Sequence, residues 1–196
     1  MSLKKLPKTL TKEEVLKLLS QPNKNTDKGL RDRCIMQLMY RAGLRESEVI
    51  NLDPRAIEWK EGILRVWKEK GAKDRKLYLR ERTLYLDEYT LDLLRLWNER
   101  RPKCGYFFST PKCGKLSDRE IREIVSRYAY KAGIEKHVNP NMLRHTFAIE
   151  LLQEGYSLRE VQRLLGHTDL STTMIYTHVY DSALAKKMRL RKPIDI

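Results

Sequence analysis

Residues 57–66 read Ile57-Glu58-Trp59-Lys60-Glu61-Gly62-Ile63-Leu64-Arg65-Val66, and within them the apolar period changes. Ile57 and Trp59 alternate ahead of the turn Glu61-Gly62, and Leu64 and Val66 alternate after it. A period of two puts such side chains on one face of a strand, so the stretch folds back as a hairpin. Gly71 opens another break, after which Leu77, Leu79, Leu84 and Leu86 continue in near-alternation. The spacing predicts an antiparallel sheet of about three strands.

Everything on either side of that sheet reads as helix. Upstream, Thr11-Lys12-Glu13-Glu14 is a capping box that heads a short helix with Val15, Leu16, Leu18 and Leu19, stopped near Pro22. Leu30, Cys34, Ile35, Leu38 and Met39 share one face of a helix from about Thr26 to Gly43, where glycine suits a left-handed cap. A helical stretch from Arg45 to Leu52 closes at Asp53-Pro54. Downstream, Asp87 caps a helix carrying Leu91, Leu94 and Trp97, and Ser117-Asp118-Arg119-Glu120 caps one carrying Ile121, Ile124, Val125 and Tyr128. Further helices run from about Pro140 to Gly155 and from Ser157, boxed with Glu160, to Gly166. Two more are predicted around 171–177 and 182–190. The fold class is mainly α with a small antiparallel β-sheet, an α+β domain.

With 196 residues the chain is one domain, given about 100–200 residues per domain. Residues 1–5 read as a flexible N-terminal end or an expression remnant, and 181–196 as a C-terminal tail or helix. Hydrophobic residues at 41% supply a core and exclude general disorder. No apolar run approaches the ~18 residues of a membrane span, and no signal peptide is visible. Three cysteines do not make a disulfide framework, so a cytoplasmic setting is expected. Cys104 and Cys113 lack a C-x-x-C pair, and no metal site is expected. The 40 Lys and Arg outnumber 26 Asp and Glu, for a net charge of +14. That surplus suits a polyanion, most simply nucleic acid. Residues 60–82 alone hold nine Lys and Arg against four Asp and Glu, a hairpin with a basic rim.

Four segments carry chemistry-bearing residues. They are Arg41-Ala42-Gly43-Leu44-Arg45-Glu46-Ser47-Glu48, Glu69-Lys70-Gly71-Ala72-Lys73-Asp74-Arg75 and Pro140-Asn141-Met142-Leu143-Arg144-His145-Thr146-Phe147-Ala148. The fourth is Leu165-Gly166-His167-Thr168-Asp169-Leu170-Ser171-Thr172-Thr173-Met174-Ile175-Tyr176-Thr177-His178. In order and wording they resemble the catalytic domain of the tyrosine recombinases, the phage-integrase and Xer group, from Leu6 to about Leu184. The fourth segment is the most specific.

The resemblance implies the tyrosine recombinase catalytic-domain fold and a reaction without cofactor or metal. A tyrosine oxygen attacks a DNA phosphodiester, a 3′-phosphotyrosyl link forms, and a 5′-hydroxyl later resolves it. Carried over by position, Tyr176 is the nucleophile, Arg45 and Arg144 the two arginines, Lys70 the hairpin lysine and His167 the second histidine. These roles are chemically sound. A phenol with a reference pKa of ~10 needs help to attack. Arginine's planar fork fits two phosphate oxygens and offsets charge building on phosphorus. Lysine can protonate the leaving 5′ oxygen. Lys68, Lys73, Arg75 and Lys76 are candidate DNA contacts beside Lys70. Glu48, one turn past Arg45, is expected to orient it. His145 is expected to brace helix packing.

The chain departs from the family at Asn141, where His, sometimes Lys, usually stands three residues before the second arginine. A carboxamide takes no proton near neutral pH, which leaves a slow reaction, water or His145 to deprotonate Tyr176. The family's usual N-terminal DNA-clamping domain is not read in these residues, as expected either of a fragment or of a short stand-alone member. The expected function is the catalytic domain of a site-specific DNA recombinase or integrase, acting on double-stranded DNA near the nucleoid. Self-association on DNA into the family tetramer would use the 181–196 helix, with Leu184 and Met188 as a docking face in trans. The alternatives are type IB topoisomerase-like nicking and closing, or a non-catalytic DNA-binding relative.

Overall fold

The computed structural model describes residues 7–70, 77–167 and 172–189. Helices α1 (Lys12–Ser20), α2 (Asp27–Arg41) and α3 (Glu46–Ile50) come first. A 3-10 turn over Pro54–Ala56 leads to strands β1 (Ile57–Glu58), β2 (Ile63–Lys70) and β3 (Leu77–Tyr85). Helices α4 (Glu88–Arg100), α5 (Asp118–Lys131), α6 (Pro140–Gln153) and α7 (Leu158–Leu165) follow. A second 3-10 turn, Met174–Tyr176, runs directly into α8 (Thr177–Arg189).

The helix starts form as their capping residues require. Thr11, Ser117 and Ser157 each make a reciprocal box with a glutamate three residues on. Asp87 accepts from the Thr90 amide at 3.0 Å, and Asn139 caps α6 ahead of Pro140. These bonds satisfy amides that the first helical turn leaves without partners. The sheet is antiparallel in the order β1-β2-β3, with an irregularity between Lys68 and Glu69. Leu64, Val66 and Leu84 bury one face of it.

Four elements differ in extent or type from the sequence reading. β1 ends at Glu58, so Trp59 lies beyond the strand and packs near Phe107, with ring centroids 6.4 Å apart. α3 is shorter than Arg45–Leu52 because the Arg45 backbone is extended and Asn51 leaves helical geometry. The helix predicted over 171–177 is a 3-10 turn, and the one predicted from 182 already starts at Thr177. The tight turn lets the Thr173 carbonyl accept from the Tyr176 amide at 3.0 Å while the Thr173 side chain turns toward His167.

Two apolar clusters result. The larger gathers α1 to α5, the inner face of the sheet and the first turn of α6. The smaller holds Phe147, Ala148, Leu151, Leu152, Val161, Leu165 and Tyr176. Helix α6 spans both, packing on α2, α7 and α8. It is buried around most of its circumference, as a helix apolar on all sides should be. Arg144, in the middle of this helix, is thereby out of water, whereas Glu150 near its end is partly exposed. Asp32, fully buried, ties α2 to α5 by accepting from Arg31 and Arg127, each at 2.8 Å. Among the described residues, no helix is long and apolar enough to cross a membrane.

Candidate active site

Glu48 organises the site. On α3 it faces inward, 13% exposed, between α6 and β3. Its Oε2 accepts the Arg45 amide at 2.8 Å, and its Oε1 accepts Arg45 Nη1 at 3.0 Å. Arg82, from β3, donates Nη1 and Nη2 to the two carboxylate oxygens at 2.6 and 2.8 Å. Arg144 Nη1 stands 3.9 Å away. Burial by itself favours a neutral carboxyl, but the Arg82 fork, the Arg45 amide and the Arg144 charge hold Glu48 below its ordinary 4.5. One ionised carboxylate thus gathers three guanidinium groups, leaving an excess of positive charge.

Arg144 is 5% exposed in the middle of α6. Its Nη1 donates to the Gly43 carbonyl and its Nη2 to the Leu165 carbonyl, the latter at 2.6 Å. Burial and the charge of Arg45 push its pKa down to about 9, so it remains a cation at neutral pH. Gly43 makes this possible twice over. It sits at φ +60°, and a Cβ there would come within 2.5 Å of Phe147. Gly166, at φ +62°, ends α7 and lets the Arg82 guanidinium approach equally closely. The Gly166 carbonyl faces Arg45 Nη2 at 3.4 Å.

His167 follows Gly166 and sits half-buried, with Nδ1 2.9 Å from the hydroxyl of fully buried Thr173. Burial and the charges of Arg144, Arg45 and Arg82 bring its pKa down to about 4. The neutral ring can accept from Thr173 at Nδ1 and keep Nε2–H as a donor. Arg45, Glu48, Arg82 and His167 line one open cleft of about 900 Å³, with Tyr85, Tyr156, Arg159 and Arg163 toward its mouth.

Tyr176 does not line this cleft; it is packed in the smaller apolar cluster, 1% exposed. Its hydroxyl is 2.5 Å from His145 Nδ1. Burial pushes the phenol up to about 12 against the opposing pull of Arg144, so it is protonated in the resting protein. His145 was expected chiefly to brace packing, with proton removal from Tyr176 as an alternative; it contacts the phenol directly. Asn141 is exposed in the first turn of α6. The fold therefore brings Arg45, Arg144, Glu48, His145, His167 and Tyr176 together.

Lys73, Arg75 and Lys76 lie outside the described residues, as do the side chains of Lys68, Lys70 and Met188. Lys70 closes β2, with its backbone paired to Leu77. Sequence reasoning missed Arg82, one of nine basic residues in its segment. A signal existed: Arg82 shares the inward face of β3 with Leu84, and a charged residue at an inward strand position needs a buried partner. Among the described residues, no cluster of three or more metal-ligating side chains occurs.

A family model described as the phage integrase family matches residues 8–183. The chain belongs to the phage integrase family. Tyrosine recombinase XerD of Xanthomonas axonopodis pv. citri is 41% identical over 188 residues, covering 92% of this chain and 61% of that protein. Tyrosine recombinase XerA of Thermococcus kodakarensis is 40% identical over 196 residues, covering 97% and 64%. This phage integrase family chain thus spans under two thirds of the length of those curated relatives. Among solved structures, a XerA recombinase superposes with a TM-score of 0.79 at 27% identity, over 97% of this chain and 67% of that one. A XerH site-specific recombinase bound to palindromic difH substrate, a post-cleavage complex, gives 0.74 at 27%, over 95% and 54%. The helical domain with its three-stranded sheet is therefore the tyrosine recombinase catalytic fold.

Proposed function

We propose that this chain is the catalytic domain of a site-specific recombinase that cuts and rejoins double-stranded DNA through a 3′-phosphotyrosyl intermediate. The observation that carries the reading is the Glu48-centred set of arginines, one of which, Arg144, is close enough for its charge to act on the buried phenol of Tyr176. Arg45 opens onto the cleft while Glu48 fixes its fork, which suits a phosphodiester oxygen. Arg144, held by two carbonyls, supplies fixed positive charge where the pentavalent phosphorus gains negative charge. His167 Nε2–H is available to a non-bridging oxygen. Arg159 and Arg163 at the cleft mouth, with Lys68, Lys73, Arg75 and Lys76 on the hairpin, serve the flanking phosphates.

Tyr176 attacks phosphorus, the P–O5′ bond breaks, and Lys70 protonates the departing oxygen. The 5′-hydroxyl of a second strand then displaces the tyrosine. Every step exchanges one phosphodiester for another, so the sequence closes without nucleotide hydrolysis. Recombination is favoured over nicking and closing because the named relatives are recombinases. Self-association on DNA, with α8 docking on a neighbouring copy, and a location with the chromosome belong to the same reading. Sedimentation on DNA after truncation beyond Tyr180 tests the docking, and unchanged association rejects it.

The decisive experiment is adduct trapping. Wild-type protein incubated with nicked suicide duplexes in EDTA becomes attached to a 3′-phosphate, and the adduct maps to Ile175-Tyr176-Thr177. Tyr176→Phe forms none while its DNA affinity stays within a few-fold, since affinity rests on phosphate contacts. Tyr180→Phe leaves the adduct intact. An adduct that persists in Tyr176→Phe rejects the assignment.

A further inference from the structure

Tyr176 and His145 form the one contact through which the phenolic proton has a place to go among the described residues. The hydroxyl and Nδ1 are 2.5 Å apart, and the rings tilt at 59° with centroids 5.9 Å apart. A protonated phenol is the donor in that bond, so Nδ1 accepts and the imidazole proton sits on Nε2. The geometry points to His145 as the catalytic base that takes the Tyr176 proton during strand cleavage and the acid that returns it during rejoining. This inference rests on Tyr176 being the nucleophile.

The placement on α6 explains why this residue is suited to the task. Asn141 and His145 are four residues apart and share one helix face, with Arg144 directly beside His145. Asn141 is exposed and its carboxamide has no lone pair basic enough to hold a proton near neutral pH. His145 lies one turn deeper, where the phenol is. The charged and titratable groups bearing on it are Arg144 from its own helix, Tyr176 from the 3-10 turn, and His167 from the end of α7.

Those surroundings keep the imidazole ready. Burial and the Arg144 charge hold His145 below the usual histidine range, so it is uncharged and able to accept at neutral pH. Without DNA the proton stays on the phenol. A bound phosphodiester brings negative charge beside Arg144, which offsets its field at His145 and raises the affinity of His145 for a proton. As the Tyr176 oxygen bonds to phosphorus, the phenol becomes far more acidic and the proton crosses to Nδ1. The O–P bond forms, P–O5′ breaks, His145 becomes imidazolium, and O5′ leaves with a proton from the general acid. In rejoining, the 5′-hydroxyl gives its proton to the deprotonated general acid as it attacks, the P–O bond to tyrosine breaks, and imidazolium His145 returns its proton to the departing phenolate oxygen.

The test uses the whole chain and nicked duplexes with randomised sequence around the nick, with adducts collected in denaturant across a pH series. His145→Gln keeps size and a hydrogen-bond acceptor but holds no proton. It is expected to slow adduct formation about 10²-fold, with the residual rate climbing as hydroxide replaces the imidazole. His145→Ala is expected to regain rate in added imidazole, which a packing defect would not. Cleavage by His145→Gln within threefold of wild type, or faster, overturns the inference; a faster rate would mean that the contact merely stores the tyrosine. Loss of cleavage in both variants that neither imidazole nor pH alters also overturns it. A wild-type adduct with an indifferent His145→Gln rejects this inference alone, whereas no wild-type adduct on any duplex rejects the nucleophile reading with it.

Discussion

Glu48→Gln keeps the shape of the central side chain and removes its charge. The carboxylate is 13% exposed and accepts from Arg82, 12% exposed, and from Arg45, 36% exposed, with nearly buried Arg144 at 3.9 Å. Removing one partner of a buried ion pair costs about 3–5 kcal/mol, because the opposite charge stays behind. The Arg45 pair is partly solvated and adds little. For a chain of this size each kcal/mol lowers Tm by roughly 2–4 °C, so a fall of about 6–20 °C is expected. The sign with pH follows from the lowered carboxyl. The stabilisation is complete above the unfolded value of 4.5 and disappears as pH falls through the lower folded value. Thermal melts of wild type and variant should therefore converge in acid. Sulfate in the cleft should recover part of the loss, since an anion offsets the three unbalanced guanidinium groups. A Tm within 2 °C of wild type at neutral pH, unaffected by sulfate, would refute the view that Glu48 holds the arginines together; the 2 °C threshold is about the shift for one kcal/mol.

Arg45→Ala or Arg144→Ala should reduce adduct formation by ~10²–10³ with little change in DNA affinity, read by single-turnover trapping and filter binding. Near wild-type cleavage in either would remove that arginine from the site. His167, brought down to about 4 in the fold, is neutral there while it is charged in the unfolded chain between that value and its ordinary 6.5. Stability should consequently fall as pH drops from 6.5 toward 4, and His167→Gln should flatten that slope in melts. Gly43→Ala should lower both stability and cleavage. The residue sits at φ +60°, a Cβ would press on Phe147, and its carbonyl holds Arg144. Denaturant titration showing no loss would contradict the close packing seen there.

Local chemistry made most of the framework legible in the sequence. Capping at Thr11, Asp87, Ser117 and Ser157 depends on residues within one turn, and the two-residue period around Gly62 depends on one strand face. The candidate site residues could be picked out because they stand in distinctive words such as Leu143-Arg144-His145 and Ile175-Tyr176-Thr177. The limits of α3, β1 and the turn before α8 were not. Their ends are set by what packs on them: Phe107 against Trp59, Thr173 against His167.

Short-range patterns of residues suffice to specify a helical domain with one small basic sheet and to mark which side chains could do chemistry in it. How those side chains combine depends on contacts between distant parts of the chain. Arg82 meets Glu48 from 34 residues away, Gly43 meets Arg144 across 101, and His145 meets Tyr176 across 31. Such contacts carry no local signal, because a helix fixes only its own face and a strand only its own alternation. Burial is equally non-local. It keeps His145 and His167 neutral, and it leaves Glu48 charged only because three arginines from different elements surround it.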